Sequence, residues 1–244
     1  MTLDHGSADI IQLAWARHLG LADRTFGDAI ASGDRIVHVD DAAASVQFIR
    51  LFGASALVGP AWAIKAAADI PDEDLAQHVT LMTLAREHGG HGLGATALFF
   101  ADDLPLKQPG KELTVSQAHR DVVELESRCP PDDVNEVGLA EMTHHYTVIH
   151  DEDGRHVPIA SAGYAEWGGL LAQLGVLVEP DWRRQGLGSL AASIASHEAL
   201  ASGLTLQWRA EVSNTGSLAI ARSLGLVAGG IHTSVLLGNT ASKK

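Results

Sequence analysis

The segment VLVEPDWRRQGLGSLAASIA (176–195) constrains the fold of this chain more than any other part of the sequence. An apolar run that is typical of a strand ends at Pro180. A short loop with two arginines and two glycines follows, and an alanine-rich helix is predicted to begin near Ser189. The segment therefore predicts a strand, an arginine- and glycine-containing turn, and a helix in direct succession.

The hydrophobic periodicity around this segment extends the prediction to the rest of the chain. Residues 91–238 are predicted to form the order β, α, α, β, β, β, α, β, α, β. The remaining predicted elements are a helical stretch over residues 1–30, strands at 35–41 and 46–52, and helices at 61–70, 72–86, 114–128 and 217–224, with Asp72 as an N-cap. These elements predict an α/β protein.

Composition excludes several classes of function. The formal net charge is −13, so the chain repels phosphate backbones and nucleic-acid binding is not expected. The sequence has no apolar run long enough to span a membrane and no signal peptide, so we expect a cytoplasmic protein without a membrane partner. Cys129 is the single cysteine and excludes an internal disulfide.

The turn at 183–189 has the residue types of an anion-binding site. A helix N-terminus presents unpaired backbone N–H groups and a partial positive charge. Gly186 and Gly188 lack Cβ atoms and allow an anion to approach the backbone, while Arg183 and Arg184 add charge at the rim. Such turns also occur for packing reasons alone. The spacing matches neither a P-loop nor a dinucleotide-binding fingerprint.

Two motifs together resemble a known family. R-R-Q-G-L-G (183–188), after a strand with Val176 and Val178, resembles the R/Q-x-x-G-x-G/A signature of GNAT acetyltransferases. Asn214-Thr215-Gly216-Ser217, followed by A-R-S-L-G-L (221–226), is similar to the family's N-x-x-S…A-x-x-L-G-F ending. The resemblance covers residues 157–237 and extends to residues 91–156 by element order.

The resemblance implies a GNAT-type mixed, mostly antiparallel central sheet flanked by helices, and acetyl-CoA as co-substrate with no metal. In family members the fourth and fifth strands splay apart, so the backbone of Val176 and Val178 would pair with pantetheine as an added strand would. Asn214 would contact the pantetheine arm, and Ser217 would cap the following helix or touch the cofactor. The implied diphosphate-binding residues are Arg183, Arg184, Gly186, Leu187, Gly188 and Ser189.

The implied reaction is direct attack of a primary amine on the acetyl thioester, with the backbone N–H of Val178 as the oxyanion donor. Many family members use a tyrosine as the acid for the thiolate, and this chain has Ala221 there. Candidates for the base, by their place in the central strands, are Glu166, Glu211, Tyr164, His144 and His145. A non-catalytic acyl-CoA-binding sensor or partner module on the same fold is the alternative.

Residues 1–90 are predicted to be an α/β N-terminal extension and residues 91–240 the GNAT domain. The extension is read as a structural element, as a degenerate half of a tandem GNAT arrangement, or as a lid over the acceptor. The acceptor is a small-molecule or peptide amine, and a homodimer is left open. The histidine pairs His88/His91 and His144/His145 lack the spacing of a metal site.

Overall fold

The structure is a computed structural model that describes residues 3–105 and 114–238. Its helices are α1 (His5–His18), α2 (Thr25–Ser32), α3 (Ala61–Ala66), α4 (Asp72–Leu75), α5 (His78–Ala85), α6 (His119–Ser127), α7 (Pro131–Val137), α8 (Leu187–Ala201) and α9 (Thr215–Leu224). Its strands are β1 (Ile36–Val39), β2 (Ser45–Leu51), β3 (Ala54–Gly59), β4 (Ala95–Ala101), β5 (Thr114–Ser116), β6 (His144–Glu152), β7 (Arg155–Trp167), β8 (Leu171–Val178), β9 (Thr205–Glu211) and β10 (Val227–Leu236).

The chain divides into two compact units, and each is discontinuous in sequence. The first contains the described residues of 100–208 together with 3–4 and 218–227. The second contains residues 5–99 and 209–217 and the described residues from 228 onward. Strand β9 therefore contributes residues 205–208 to the first unit and 209–211 to the second. The division at residue 90 remains a prediction from the sequence.

The first unit is built on strands in the order β9-β8-β7-β6-β5. Strands β5, β6, β7 and β8 pair antiparallel with their neighbours, and β8 pairs parallel with β9. All eight residues of β8 pair with β7, and residues 171–174 of β8 pair with residues 205–208 of β9. Among the described residues of the first unit, the C-terminal half of β8 therefore has a partner strand on the β7 edge and none on the other edge.

The two faces of β8 carry different layers, because alternate residues of a strand point to opposite sides. On one face Leu177 packs with Val122, Leu125 and Leu139 from the segment that contains α6. On the other face α8 packs on β7 and β8. The buried residues Ala191, Ala192, Ala195 and Ala199 line α8, and their small side chains allow the helix to lie close to the sheet.

The second unit has the strand order β1-β3-β2-β10-β4. The pairs β2–β3 and β10–β2 are antiparallel, and β1–β3 is parallel. One core cluster joins buried residues of β2 and β3, such as Phe48 and Leu57, to Leu75 and Leu81 of α4 and α5. Among the described residues, no helix is long and apolar enough to cross a membrane.

The predicted α/β class and the mostly antiparallel sheet flanked by helices are confirmed. Several boundaries predicted from sequence were wrong. The segment predicted as a helix at 114–128 begins with the additional strand β5, so two strands precede α6 after residue 91. The predicted helix at 72–86 is interrupted after Leu75, and Pro71 rather than Asp72 is its N-cap residue. Helices α8 and α9 each begin two residues earlier than predicted.

Candidate active site

The turn between β8 and α8 combines three unusual backbone conformations. One 3-10 turn at Pro180–Trp182 leads away from β8. Arg184 then has a φ of 62° and Gly186 a φ of 82°, both in the left-handed region, and Gly186 is the N-cap residue of α8. A glycine adopts this conformation without the steric cost of a Cβ atom, so the turn can reverse the chain within a few residues.

The first turn of α8 leaves its backbone donors available. The first helical bond within this segment runs from the N–H of Leu190 to the carbonyl of Gly186, and no side chain caps the helix. The N–H groups of Leu187, Gly188 and Ser189 consequently have no acceptor among the residues that the structure describes. Unpaired donors at a helix N-terminus attract an anion through hydrogen bonds and through the helix dipole. This donor set fits a diphosphate.

Gly188 and Ser189 fix the position of this helix terminus. A Cβ atom on Gly188 would lie 3.2 Å from Val178 Cγ2 and 3.2 Å from Ile220 Cδ1, so a larger residue would require these side chains of β8 and α9 to shift. The hydroxyl of Ser189 lies 3.0 Å from the hydroxyl of Ser223, within hydrogen-bond distance. Helix α8 is thus held from both sides while its first amides stay open.

The free edge of β8 lies directly before this turn. The N–H of Glu179 donates to the carbonyl of Ile159 on β7 at 3.0 Å. Because backbone groups alternate along a strand, the N–H and C=O groups of Val176 and Val178 point to the opposite edge, away from β7. That orientation is the one that strand-like pairing with an extended ligand requires.

Arg183 supports the end of β8 by contacts within the protein. Its Nε donates to the carbonyl of Val178 at 3.1 Å, and its Nη2 donates to Asp133 Oδ2 at 2.6 Å. Arg184 is exposed. The indole of Trp182 lies 4.6 Å from the imidazole of His150, measured between ring centroids. Of the two arginines, Arg183 is therefore engaged by Asp133 and β8, and its predicted contact with a diphosphate stays a prediction.

A protein-family model matches the part of the chain that contains this turn and strand edge. The model of the acetyltransferase (GNAT) family matches residues 115–226, from β5 to the end of α9. Residues 115–226 belong to the GNAT acetyltransferase family. The match includes the turn, the free edge of β8 and the first residues of α9.

Solved structures similar to the chain include several GNAT proteins. A GCN5-related N-acetyltransferase from Kribbella flavida shares 17% identity at a TM-score of 0.49, over 96% of this chain and 79% of that one. A putative acetyltransferase of the GNAT family from Novosphingobium aromaticivorans shares 20% identity at a TM-score of 0.46, over 62% and 67%. A GNAT acetyltransferase from Colwellia psychrerythraea shares 14% identity at a TM-score of 0.44, over 64% and 61%. No curated protein matches the sequence.

The start of α9 differs from the start of α8. The side-chain oxygen of Asn214 accepts the N–H of Ser217 at 2.9 Å, which is the bond of an N-cap residue to the third residue of its helix. The capping role considered for Ser217 therefore belongs to Asn214, and Ser217 is the residue that is capped. Contacts of Asn214 or Ser217 with a cofactor remain predictions.

The candidate bases occupy different environments. Tyr164 is 1% exposed, and His144 stacks on its ring at 4.4 Å between ring centroids. Burial raises the pKa of Tyr146 to about 12, with smaller contributions from Tyr164 and Glu198. This pair contributes to the core beneath α8, which disfavours Tyr164 as a base.

Glu166 lies at the opposite end of the sheet from the turn. It pairs with Ala172, whereas Val178 pairs with Ala160. Six residues along a strand correspond to roughly 20 Å, so the exposed Glu166 does not reach an acyl group held at Val178. Glu211 is exposed at the end of β9 and accepts a hydrogen bond from Ser213 at 3.1 Å.

The histidine pairs have local partners. His145 is buried, its Nε2 lies 3.0 Å from the carbonyl of Leu139, and burial is the main cause of its lowered pKa. The ring of His88 stacks on Trp62 at 3.5 Å, and Nδ1 of His91 lies 2.8 Å from the carbonyl of Gly89. Within residues 3–105 and 114–238, no group of three or more His, Cys, Asp or Glu side chains is arranged to hold a metal ion.

Sequence reasoning missed the buried acid next to the turn. Glu179 is 9% exposed, and its Oε2 has no hydrogen-bond partner among the described residues. The neighbouring Cys129 has its pKa raised to about 11, mainly by burial. The signal was present in the sequence, since Glu179 directly follows the apolar run of β8 and an acid there has no simple role in packing.

Proposed function

We propose that the protein transfers an acetyl group from acetyl-CoA to a primary amine. The match of residues 115–226 to the GNAT acetyltransferase family supports acyl transfer as the class of activity. The observation that supports the finer proposal is the row of three open amides at Leu187, Gly188 and Ser189 beside the free edge of β8.

The residues of the chain would divide the work between binding and positioning. The three amides of α8 would hold the diphosphate, and Val176 and Val178 would pair with pantetheine through their outward backbone groups. Acetyl-CoA supplies the activated acyl group when it is bound. The N–H of Val178 would donate to the acyl carbonyl oxygen, where negative charge develops during attack by the amine.

Arg183 would act as a positioning residue in this scheme. Its bond to the Val178 carbonyl orients the peptide group at the end of β8, and its ion pair with Asp133 holds the guanidinium in place. The main contribution of these residues is fixed geometry, because a bound acyl group and an oriented donor lower the entropic cost of the reaction.

The release of free CoA tests the proposal directly. A thiol reagent would follow release from acetyl-CoA over a panel of primary amines that includes peptides, polyamines and small metabolites. We expect release above the amine-free rate with at least one acceptor, and loss of that release in Ser189→Glu, which places a carboxylate at the open amides. Ser202→Glu changes charge equally at the other end of α8 and is the matched control.

A non-catalytic acyl-CoA binder is the second candidate, and Ala221 favours it. This residue is fully buried and carries no ionisable group where many family members have a tyrosine. Thermal stabilisation by acetyl-CoA without CoA release over the whole panel would favour the binder. Absence of both stabilisation and release would reject the two candidates together.

The proposed site of action is the cytoplasm. The single cysteine Cys129 supports a reducing compartment, where disulfides do not persist.

A further inference from the structure

The pairing of β8 with β9 ends at Leu174 and Trp208, although both strands are longer than the paired segment. An unpaired strand edge is a template for further pairing, so a ladder that ends inside two strands needs a physical cause. Neither strand contains a proline, which would remove a ladder donor. Side chains at the last paired positions make hydrogen bonds that act at this point.

Two glutamines lie in register on these strands, one position before the ladder ends. Gln173 pairs with Gln207. The Nε2 of Gln207 donates to Oε1 of Gln173 at 2.9 Å, and the Nε2 of Gln173 donates to the backbone carbonyl of Leu174 at 3.0 Å. The direction of the Gln173 amide follows, because only its nitrogen can donate to a carbonyl and only its oxygen can accept from Gln207. We call these two side chains the amide relay.

The amide relay acts on the carbonyl at the end of the ladder. The N–H of Glu179 donates to the carbonyl of Ile159 on β7, and the register of β8 with β7 is continuous. Backbone groups alternate along a strand, so the carbonyl of Leu174 faces the other edge, which β9 occupies at this rung. A side-chain donor competes there with backbone donors for the same oxygen. The relay thereby opposes continued pairing immediately beyond Leu174.

The burial of the amide relay argues against a role as a surface contact. Gln207 is fully buried and Gln173 is half-buried. Burial of an amide costs free energy unless the amide is hydrogen-bonded, so two apolar side chains would fill the same space more simply. A buried polar pair instead specifies one arrangement of the two strands, since its hydrogen bonds form only in this register.

The residue after the last rung is held on β7. Gly175 pairs with Gly163, and a Cβ atom on Gly175 would overlap Met142 Cε and lie 3.0 Å from Val137 Cγ1 at the end of α7. This close packing keeps β8 in place on β7. The amide relay and the packing at Gly175 together leave the edge of residues 175–178 open.

We propose that Gln173 and Gln207 are positioning residues that keep the C-terminal half of β8 unpaired, so that pantetheine can bind along it. This inference rests on the proposed function, because it assumes that Val176 and Val178 receive the pantetheine arm. The relay touches no reacting atom. It provides an edge whose donors and acceptors are available before the ligand arrives, which lowers the cost of ordering them during binding.

Amide hydrogen exchange of the full chain tests the amide relay, with and without saturating acetyl-CoA and without an acceptor. Residues 175–178 report the free edge, and residues 187–189 report the turn. In the parent we expect acetyl-CoA to slow exchange about tenfold or more in both segments, since bound amides are protected. Gln173→Met and Gln207→Met remove the amides at nearly constant volume. In these variants we expect the same slowing at 187–189 and less than about twofold at 175–178.

A matched variant controls for the loss of a buried bond between strands. The hydroxyls of Thr147 on β6 and Ser161 on β7 lie 2.9 Å apart, and Thr147→Val should behave as the parent does. Equal slowing at 175–178 in the parent and in a folded glutamine variant overturns the proposal, as does loss of slowing at both segments in such a variant. Gln173 is only half-buried, so Gln173→Met keeps the test available if Gln207→Met does not fold.

The parent protein separates this proposal from the proposed function. Slowing at 187–189 alone would overturn the role of the amide relay and leave the diphosphate site standing. Slowing at neither segment would reject acetyl-CoA binding itself, and the relay would lose its role with it.

Discussion

The starts of helices α8 and α9 share a Gly-Ser pair at matched positions, but their backbone donors are in opposite states. The first reads Gly186-Leu187-Gly188-Ser189 and the second Asn214-Thr215-Gly216-Ser217, so both place Gly-Ser at the second and third helical positions. In α9 the Asn214 side chain takes the N–H of Ser217. In α8 a glycine occupies the capping position and the equivalent N–H of Ser189 stays open.

The difference shows how a helix terminus becomes available to a ligand. An N-cap side chain satisfies a donor internally and stabilises the helix by about 1 kcal/mol. Helix α8 lacks that stabilisation and is held instead by the packing of Gly188 on Val178 and Ile220 and by the Ser189–Ser223 contact. Its donors can then serve an external anion.

The largest effect is expected when the open backbone donors of α8 are occupied. We expect Ser189→Glu to lower acetyl-CoA affinity at least tenfold, because the carboxylate repels the diphosphate and competes for the amides. Acetyl-CoA at about 100 times the Kd of the parent should add about 2.7 kcal/mol to the parent, roughly 5–10 °C in Tm, and at most about 1.4 kcal/mol to the variant. Differential scanning calorimetry measures this. Equal stabilisation of both proteins would place the diphosphate elsewhere.

Removal of the cap of α9 should have a smaller effect, on stability rather than on binding. Asn214→Ala leaves the N–H of Ser217 without its acceptor and should lower the free energy of unfolding by about 1 kcal/mol. Asn214→Gly should lower the free energy of unfolding by only a few tenths of a kcal/mol, since glycine is itself tolerated at an N-cap. Urea denaturation without ligand compares the three proteins. A large loss of acetyl-CoA affinity in both variants, with unchanged stability, would instead support the cofactor contact predicted for Asn214.

The smallest effect is expected from alanine substitutions of the two glycines at matched positions, Gly188 and Gly216. An added Cβ on Gly216 would have Asn214 Oδ1 as its nearest neighbour at 3.6 Å, an ordinary contact, whereas at Gly188 two carbons lie at 3.2 Å. Gly216→Ala should therefore raise stability by up to about 1 kcal/mol through helix propensity. Gly188→Ala should gain less or lose stability, because Val178 and Ile220 must shift. Thermal unfolding measures the stability of the two variants. The same change in stability for both would contradict the packing described for α8.

The sequence predicted the strand–turn–helix unit because periodicity, proline and glycine all act locally. The position of Glu166 could also be derived from the sequence: it directly precedes the Gly168-Gly169 turn, and the hairpin then carries Val178 to the other end of the sheet. The capping role of Asn214 has a recognisable signal as well, since asparagine before a helix is a preferred N-cap.

Other features depend on contacts that no local pattern carries. The ion pair between Arg183 and Asp133 joins residues fifty positions apart, and it changes the guanidinium from a rim charge into a support of β8. Trp15 of α1 contacts Arg209 of β9 and His232 of β10, which lie far from it in the sequence. Strand β5 is three residues long and exists through its pairing with β6, so the helical pattern that follows it concealed it.

The environment of Cys129 has a practical consequence for measuring the reaction. With a pKa of about 11, this thiol is ionised in about one molecule in a thousand at pH 8. Disulfide-exchange dyes react with thiolates, so the enzyme itself should contribute almost no colour on the timescale of turnover. A continuous chromogenic assay can therefore be run at high protein concentration, where even a slow acceptor would give a readable slope.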